Sequence, residues 1–225
     1  MERLTVSGVS YSYRTKYQTV RAVSDATCAF EAGRVYAITG ESGSGKSTLL
    51  SLLAGLDLPD EGVIAVDGDD LRGRNRDAYR RSEASVVYQA FHLLPLLTVL
   101  ENVTLPMELN GVPKAERRRR AAALLEKVGL PEETHGKFPK MLSGGQQQRV
   151  AIARSLAAGG KLILADEPTG NLDTENGQNV VNILLELAHR EGYLVILVTH
   201  NPDVAAMADA RLRMTDGILS EEGAP

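Results

Sequence analysis

The 225 residues of the chain, 43% of them hydrophobic, can fill the core of one α/β domain and argue against disorder. The formal net charge of -4 at pH 7 argues against a general affinity for nucleic acid, which requires a basic surface. No apolar stretch reaches the roughly 20 residues of a membrane-spanning helix and the N-terminus does not resemble a signal peptide, so we expect a reduced, cytosolic location.

Strand-like segments recur along the chain, and the later ones are continuous in Val, Ile and Leu, as in buried parallel strands. The predicted strands cover residues 4–9, 20–30, 35–39, 63–66, 85–88, 162–165 and 193–199. Cys28 is the only cysteine, so the chain cannot form an internal disulfide. It lies in the alternating pattern of the second strand, and we expect it to be a small buried side chain.

Helical patterns replace the strand signal between about residues 89 and 160. The predicted helices cover residues 99–109, 114–128 and 145–158. We interpret this region as a helical insertion, so that residues 1–225 form one domain with a core of residues 1–88 and 161–225 and a helical subdomain of residues 89–160.

Four consecutive arginines, residues 117–120, open the second predicted helix. Four successive residues face all sides of a helix, which favours a solvated surface with partly extended side chains. The alternative is a contact with a partner or with anionic lipids.

A glycine-rich segment links the strand at residues 35–39 to a helix predicted at residues 47–54. It matches G-x-x-x-x-G-K-[ST], in which glycines let backbone N–H groups converge on phosphate oxygens at a helix N-terminus. Lys46 adds a cation for the β and γ phosphates, and the Ser47 hydroxyl can ligate magnesium. The alternative is a turn with no ligand. The predicted nucleotide-binding residues are Gly40, Ser42, Gly43, Ser44, Gly45, Lys46, Ser47 and Thr48.

Two adjacent carboxylates, Asp166 and Glu167, follow the apolar strand at residues 162–165. In a P-loop NTPase the acid at this position helps to hold hydrated magnesium, which assigns that role to Asp166 and leaves Glu167 to polarise the attacking water. The alternative is an acidic pair that caps the next helix.

His200 follows the strand at residues 193–199 and precedes a turn and helix-start signal. Parallel strands present their C-terminal ends to one crevice, so His200 and Glu167 can both face the γ-phosphate held at Lys46. We interpret the remaining histidines as surface or packing residues; they are His92, His135 and His189.

In this order, over nearly the whole chain, these segments resemble the ATP-binding-cassette (ABC) ATPases. Gln89 resembles the glutamine of the family's Q-loop, and His200 resembles its switch histidine. The resemblance implies the catalytic residues Glu167, His200 and Gln89. It implies the magnesium-binding residues Ser47, Gln89 and Asp166.

The segment Ser143, Gly144, Gly145 and Gln146 matches the signature of the same family. Because Ser143 precedes a predicted helix, its hydroxyl and the free amides that follow can point at a phosphate, although a simple capping turn has the same pattern. The resemblance adds two further binding positions. Asp173 belongs to a segment like the D-loop, and Tyr13 fits the aromatic residue that stacks on adenine better than Tyr11 does.

The resemblance implies an α/β fold with a RecA-like P-loop NTPase core of mainly parallel sheet, an N-terminal antiparallel β-subdomain and an inserted α-helical subdomain. It implies binding of ATP and Mg²⁺ in a head-to-tail dimer, in which Ser143, Gly144 and Gly145 of one copy cover the γ-phosphate bound by the other. A separately encoded membrane permease would be the second partner, with no nucleic acid, which places the protein on the cytoplasmic face of the cell membrane.

The segments after Gln89 and around Asp166 look like those of the MacB, LolD and FtsE type of ATPase subunit. That subgroup implies export, lipoprotein release or transmembrane mechanical signalling. The alternatives are an importer subunit, a soluble ABC ATPase that acts on DNA or the ribosome, and a P-loop kinase. A soluble ABC ATPase is disfavoured because such proteins carry coiled-coil insertions or a second cassette.

Overall fold

The strands pair into two sheets in the computed structural model, which describes residues 2–222. The strands are β1 (Glu2–Arg14), β2 (Thr19–Glu31), β3 (Val35–Thr39), β4 (Glu61–Val66), β5 (Asp69–Asp70), β6 (Ala84–Tyr88), β7 (Leu162–Asp166), β8 (Leu194–Val198), β9 (Ala210–Thr215) and β10 (Ile218–Glu222). The α-helices are α1 (Lys46–Leu53), α2 (Arg76–Ser82), α3 (Val99–Leu109), α4 (Lys114–Lys127), α5 (Gly144–Ala157), α6 (Thr174–Glu191) and α7 (Pro202–Ala206).

The larger sheet has six strands in the order β10-β9-β3-β8-β7-β6. The pairs from β9 to β6 are parallel, and β10 runs antiparallel to β9. Strand β8 is buried over its whole length because both faces of the sheet are covered, which explains its continuous apolar sequence. The carboxyl ends of β3, β7 and β8 therefore lie side by side at one edge of the sheet.

Successive side chains of these strands point to opposite faces of the larger sheet, which divides the interior into two cores. Ile163 and Ala165 of β7 face one side of the sheet, where α3, α4, α5 and α6 pack. Leu162 and Leu164 face the other side, where α1 and the smaller sheet pack. Successive side chains of a strand point to opposite faces, so one apolar strand serves both cores.

The smaller sheet has four antiparallel strands in the order β2-β1-β4-β5. Leu4, Val6 and Val9 of β1 are buried against α1 and the larger sheet. Cys28 of β2 is partly buried, whereas the sequence predicts a buried side chain. Burial raises the pKa of its thiol to about 12, because the thiolate loses solvation.

Helices α3, α4 and α5 pack against one another and form the predicted helical insertion. Arg118, Arg119 and Arg120 of α4 are exposed, and Arg120 pairs with Glu116 at 3.4 Å, while the less exposed Arg117 pairs with Glu108 at 3.1 Å. The predicted solvated helix surface is confirmed. Within residues 2–222 no helix combines the length and the apolar character needed to cross a membrane.

The predicted fold class is confirmed, with a mainly parallel sheet, an antiparallel sheet and inserted helices. The sequence analysis did not identify α2, the short β5, or the pair β9 and β10. Only Leu212 and Met214 of β9 are buried, and they alternate with the partly exposed Arg211 and the exposed Arg213 and Thr215. Such a half-buried strand gives a weaker pattern than the continuous apolar runs of β7 and β8.

Candidate functional site

The loop between β3 and α1 depends on glycine because the backbone of neighbouring strands approaches it closely. Gly40 has a φ of 148°, and a Cβ there would lie 2.2 Å from the carbonyl oxygen of Met214. Gly45 has a φ of 107°, and a Cβ there would lie 2.1 Å from the carbonyl oxygen of Ala22. Both positions exclude any side chain, so the conformation of this loop requires the two glycines.

Lys46 is buried at the first position of α1, with only 7% of its surface exposed. Its Nζ donates hydrogen bonds to the carbonyl oxygens of Gly40 at 2.9 Å and Glu41 at 2.7 Å. The ammonium group therefore lies inside the loop, close to the positive end of the α1 dipole. This arrangement concentrates positive charge where the sequence predicts phosphates.

An open cavity of about 690 Å³ lies beside this loop. It brings together Tyr13, Gly40, Ser42, Gly43, Gly45, Lys46, Ser47, Thr48, Gln89, Glu167 and His200, all of them predicted site residues. Sequence reasoning missed the other wall, which consists of Val20, Arg21, Ala22, Asp216 and Gly217. The Asp-Gly pair is a typical hairpin turn between β9 and β10 and could have been found from that signal.

Tyr13 lies near the end of β1, beside the start of α1. Its hydroxyl is 3.2 Å from Thr48 Oγ1, and 46% of its surface is exposed. Tyr11 packs edge-on against it with ring centroids 5.1 Å apart, and it does not line the cavity. An exposed ring at the cavity wall can stack on a base.

Asp166 ends β7 beside the start of α1, where Ser47 Oγ donates a hydrogen bond to Asp166 Oδ1 at 3.3 Å. Burial raises the pKa of Asp166, the hydrogen bond from Ser47 opposes this, and the charge of Glu167 adds to the increase. A hydroxyl and a carboxylate at this separation suit a hard cation such as Mg²⁺.

Glu167 turns away from the strand and contacts His200, whose Nδ1 lies against Glu167 Oε2. The backbone of Glu167 is left-handed, with a φ of 49°, and its N–H donates to the carbonyl oxygen of Val198 at 3.0 Å. Such a conformation is costly for a residue with a side chain and often marks a functional site. Asn201 caps α7 through its side chain and so fixes the chain direction after His200.

Gln89 follows β6 and is joined to Asn171, which lies two residues before Asp173 in the segment that resembles the D-loop. Gln89 Nε2 donates to Asn171 Oδ1 at 3.2 Å, and Asn171 Nδ2 donates to the carbonyl oxygen of Gln89 at 3.0 Å. Arg154 of α5 holds the next residues by donating to the carbonyl oxygens of Phe91 at 3.1 Å and His92 at 2.6 Å. The segment after β6 is therefore attached to both the helical insertion and the loop after β7.

The signature residues do not line the cavity. Ser143 caps α5, and a reciprocal capping box joins it to Gln146, with distances of 3.0 and 3.3 Å. Asp173 caps α6, and hydrogen bonds from Asn176 lower the pKa of its carboxyl. A Cβ on Gly145 would lie 2.3 Å from Asn176 Oδ1, so the starts of α5 and α6 are packed together.

Two further predicted residues also lie off the cavity wall. Ser44 is buried within the loop, where its N–H donates to the carbonyl oxygen of Glu41 at 3.2 Å. Asp166 reaches the site through Ser47. The histidines interpreted as packing or surface residues lie elsewhere: His92 stacks on Tyr88, His189 contacts Asp209, and the carbonyl of His135 accepts from the N–H of Leu100.

Comparison with known proteins assigns this arrangement to a family. Residues 23–170 match the family described as ABC transporter. The chain belongs to the ABC transporter family. The resemblance inferred from the motifs is confirmed, and the chain is a nucleotide-binding ABC ATPase.

Among its relatives, the chain is 46% identical over 225 residues to the uncharacterized ABC transporter ATP-binding protein YvrO of Bacillus subtilis, covering 98% of this chain and 97% of that protein. It is 45% identical over 222 residues to the probable export ATP-binding/permease protein MacB of Pseudomonas entomophila, covering 97% of this chain and 33% of that protein.

Among solved structures, the chain is similar to the dimeric ATP-binding cassette MJ0796 in a post-hydrolysis state bound to ADP and Pi. The TM-score is 0.88 at 35% sequence identity, and the match covers 98% of this chain and 100% of that one. The ABC transporter ATPase fold is therefore shared over nearly the full length.

Proposed function

We propose that this ABC ATPase is the subunit of a transporter complex in which two copies close on ATP and drive a membrane partner by hydrolysing it. The observation that carries the proposal is the meeting of Lys46, Glu167 and His200 on one cavity. These groups supply a phosphate-binding cation, a base and a partner that holds the base in place.

ATP would bind with its phosphates in the loop around Lys46 and its base beside Tyr13. Ser47 and Asp166 would hold Mg²⁺, which neutralises charge on the β and γ phosphate oxygens. Within residues 2–222 no cluster of three or more His, Cys, Asp or Glu side chains could hold a metal ion. The remaining ligands of Mg²⁺ would therefore be phosphate oxygens, water and Gln89.

Glu167 would accept a proton from the water that attacks the γ-phosphate. Its side chain is 21% exposed, which reduces competition from bulk water, while that of His200 is 66% exposed and can reach the nucleotide. The contact between the two holds the carboxylate in one orientation. These residues supply the general base and its orienting partner.

The signature segment would act on the nucleotide of a second copy. Ser143, Gly144 and Gly145 lie outside the cavity of their own chain, and Ser143 is exposed. A head-to-tail dimer would bring this segment and Asp173 to the partner's γ-phosphate. The dimeric state named for MJ0796 supports this arrangement.

A membrane partner would bind the helical insertion next to Gln89. Leu94 and Leu96 follow Gln89 and are 42% and 87% exposed, and Phe138 and Met141 precede α5 and are 38% and 58% exposed. The two segments adjoin, because the N–H of residue 99 donates to the carbonyl oxygen of residue 137 at 2.9 Å. Exposed apolar side chains from adjoining segments favour a protein interface.

The matches to MacB proteins, which are named as export proteins, favour export. Lipoprotein release and transmembrane mechanical signalling rest on the resemblance of the motifs alone. The matched MacB protein is named as an ATP-binding/permease protein, and this chain spans about a third of its length. YvrO, of which the chain covers 97%, is named as an ATP-binding protein, which supports a permease on a separate chain. The ATPase would then lie on the cytoplasmic face of the membrane. An importer subunit is the alternative.

Replacing Glu167 by Gln tests the proposal. The amide cannot take the proton from water, so we expect release of phosphate from ATP to fall by about a thousandfold while ATP binding persists. The variant should accumulate as a dimer with ATP, measured by size-exclusion chromatography with light scattering. Normal turnover by this variant would refute Glu167 as the base, and transfer of phosphate to an acceptor would indicate a kinase instead.

A further inference from the structure

The pairing between Gln89 and Asn171 leaves only one orientation for each side-chain amide. Asn171 Nδ2 donates to the backbone carbonyl of Gln89 at 3.0 Å, and a carbonyl can only accept. Asn171 Oδ1 therefore faces the side chain of Gln89, which must present its NH₂ group, and Gln89 Nε2 donates to it at 3.2 Å. The oxygen of the Gln89 amide is consequently directed away from Asn171.

The oxygen of the Gln89 amide is available as a hydrogen-bond acceptor. Within the described part of the chain, Gln89 Oε1 has no hydrogen-bond partner, while Gln89 lines the nucleotide cavity. Gly170 makes room for the side chain, because a Cβ there would lie 2.7 Å from Gln89 Nε2. The amide thus has its donor end engaged and its acceptor end available.

We propose that Asn171 is a positioning residue for hydrolysis, which orients the Gln89 amide so that Oε1 faces Mg²⁺ or the attacking water. The inference rests on the proposed function, in which Gln89 acts on the nucleotide. Asn171 itself does not line the cavity and acts through Gln89. If Asn171 is lost, the amide of Gln89 can turn over and present its NH₂ group, which repels a cation.

Two variants of Asn171 test this inference. Asn171→Leu removes both hydrogen bonds, and Asn171→Asp keeps the shape but loses the donor to the Gln89 carbonyl. Asn171→Leu should lower kcat about fivefold, the rate equivalent of one hydrogen bond, with the KM for ATP unchanged. The Mg²⁺ concentration for half-maximal rate should rise in Asn171→Leu but not in Asn171→Asp, whose carboxylate still accepts from Gln89 Nε2, and a merely structural role would not produce this difference.

A double-mutant cycle with Gln89→Ala tests whether the effect of Asn171 on kcat depends on Gln89. Adding Asn171→Leu to Gln89→Ala should cause no further loss of kcat. Asn182→Leu is the matched control, because Asn182 is an exposed Asn of α6 whose side chain contacts only Gln178; it should hydrolyse ATP at the wild-type rate. Thermal unfolding should be unchanged in the Asn171 variants, since Asn171 is exposed.

The outcomes distinguish this inference from the proposed function. Wild-type kcat and Mg²⁺ dependence in both Asn171 variants would overturn the inference and leave the proposed function intact. If the losses of kcat caused by Asn171→Leu and by Gln89→Ala multiply in the double variant, the inference is also overturned. Asn171 would then act independently of Gln89. Absence of ATP hydrolysis by the wild-type protein and by Asn182→Leu would overturn the proposed function itself.

Discussion

Helices α1 and α5 both have glycine at their starts, but they differ in how their first backbone amides are occupied. The N-cap of α1 is Gly45, which has no side chain to accept from those amides. The N-cap of α5 is Ser143, whose capping box with Gln146 already occupies two N–H groups. The amides of Gly144 and Gly145 receive no side-chain cap.

The two helices also share a feature that separates them from the others. Among the seven α-helices described within residues 2–222, only α1 and α5 have no acidic residue in the first turn. An acid at that position stabilises a helix through its dipole and would repel a phosphate. Both helix starts are therefore suited to an anion, although only α1 faces the cavity of its own chain.

The difference between them indicates how the proposed dimer would be controlled. The start of α1 keeps its amides and Lys46 ready for phosphate within one chain. The start of α5 is stable by itself through its capping box, and it would meet phosphate only when a second copy approaches. ATP would thus bind to one chain before the two copies close into the dimer.

The largest expected effect comes from Lys46→Ala at the start of α1. Loss of the ammonium removes a charge-assisted contact to phosphate, and we expect the affinity for ATP to fall about a hundredfold. Isothermal titration with ATP and Mg²⁺ measures this. Lys140→Ala is the control, since Lys140 is exposed outside the cavity, and its affinity should equal that of the wild type. If Lys46→Ala binds ATP as tightly as the wild type does, the assignment of the loop between β3 and α1 to phosphate binding is wrong.

A smaller effect is expected from Ser143→Ala, for which Thr98→Ala provides a matched control. Both residues cap a helix through a complete capping box. Each substitution should lower the free energy of unfolding by about 1 kcal/mol, measured by urea denaturation. In the Glu167→Gln background, only Ser143→Ala should also weaken the ATP-dependent dimer. If both variants form the ATP-dependent dimer equally well, the signature segment does not belong to the proposed interface.

The smallest effect on stability is expected from Gln146→Glu. Glutamate preserves the capping box and adds a negative charge at the positive end of α5, so unfolding should require about 0.5 kcal/mol more free energy. The same charge would repel the phosphate of a second copy, so ATP-dependent dimerisation should weaken. A variant that is more stable and dimerises as well as the wild type would show that phosphate does not reach α5.

Much of the core could be predicted from the sequence because its signals are local. The apolar runs of β3, β7 and β8 and the glycine spacing of the loop each specify structure within a few residues. The strand β9 was missed because only alternate residues are buried, and a half-buried strand has no continuous apolar run. Its turn at Asp216 and Gly217 consequently could not be placed at the cavity.

The sequence by itself determined the family and the fold class, and its local spacing is the basis on which roles are proposed for residues such as Lys46 and Ser47. Only the tertiary structure decided which distant groups meet: Ser47 with Asp166, Glu167 with His200, and Gln89 with Asn171. The physical reason is that each pair joins the ends of different elements. Their distance depends on sheet order and packing, which no local pattern specifies.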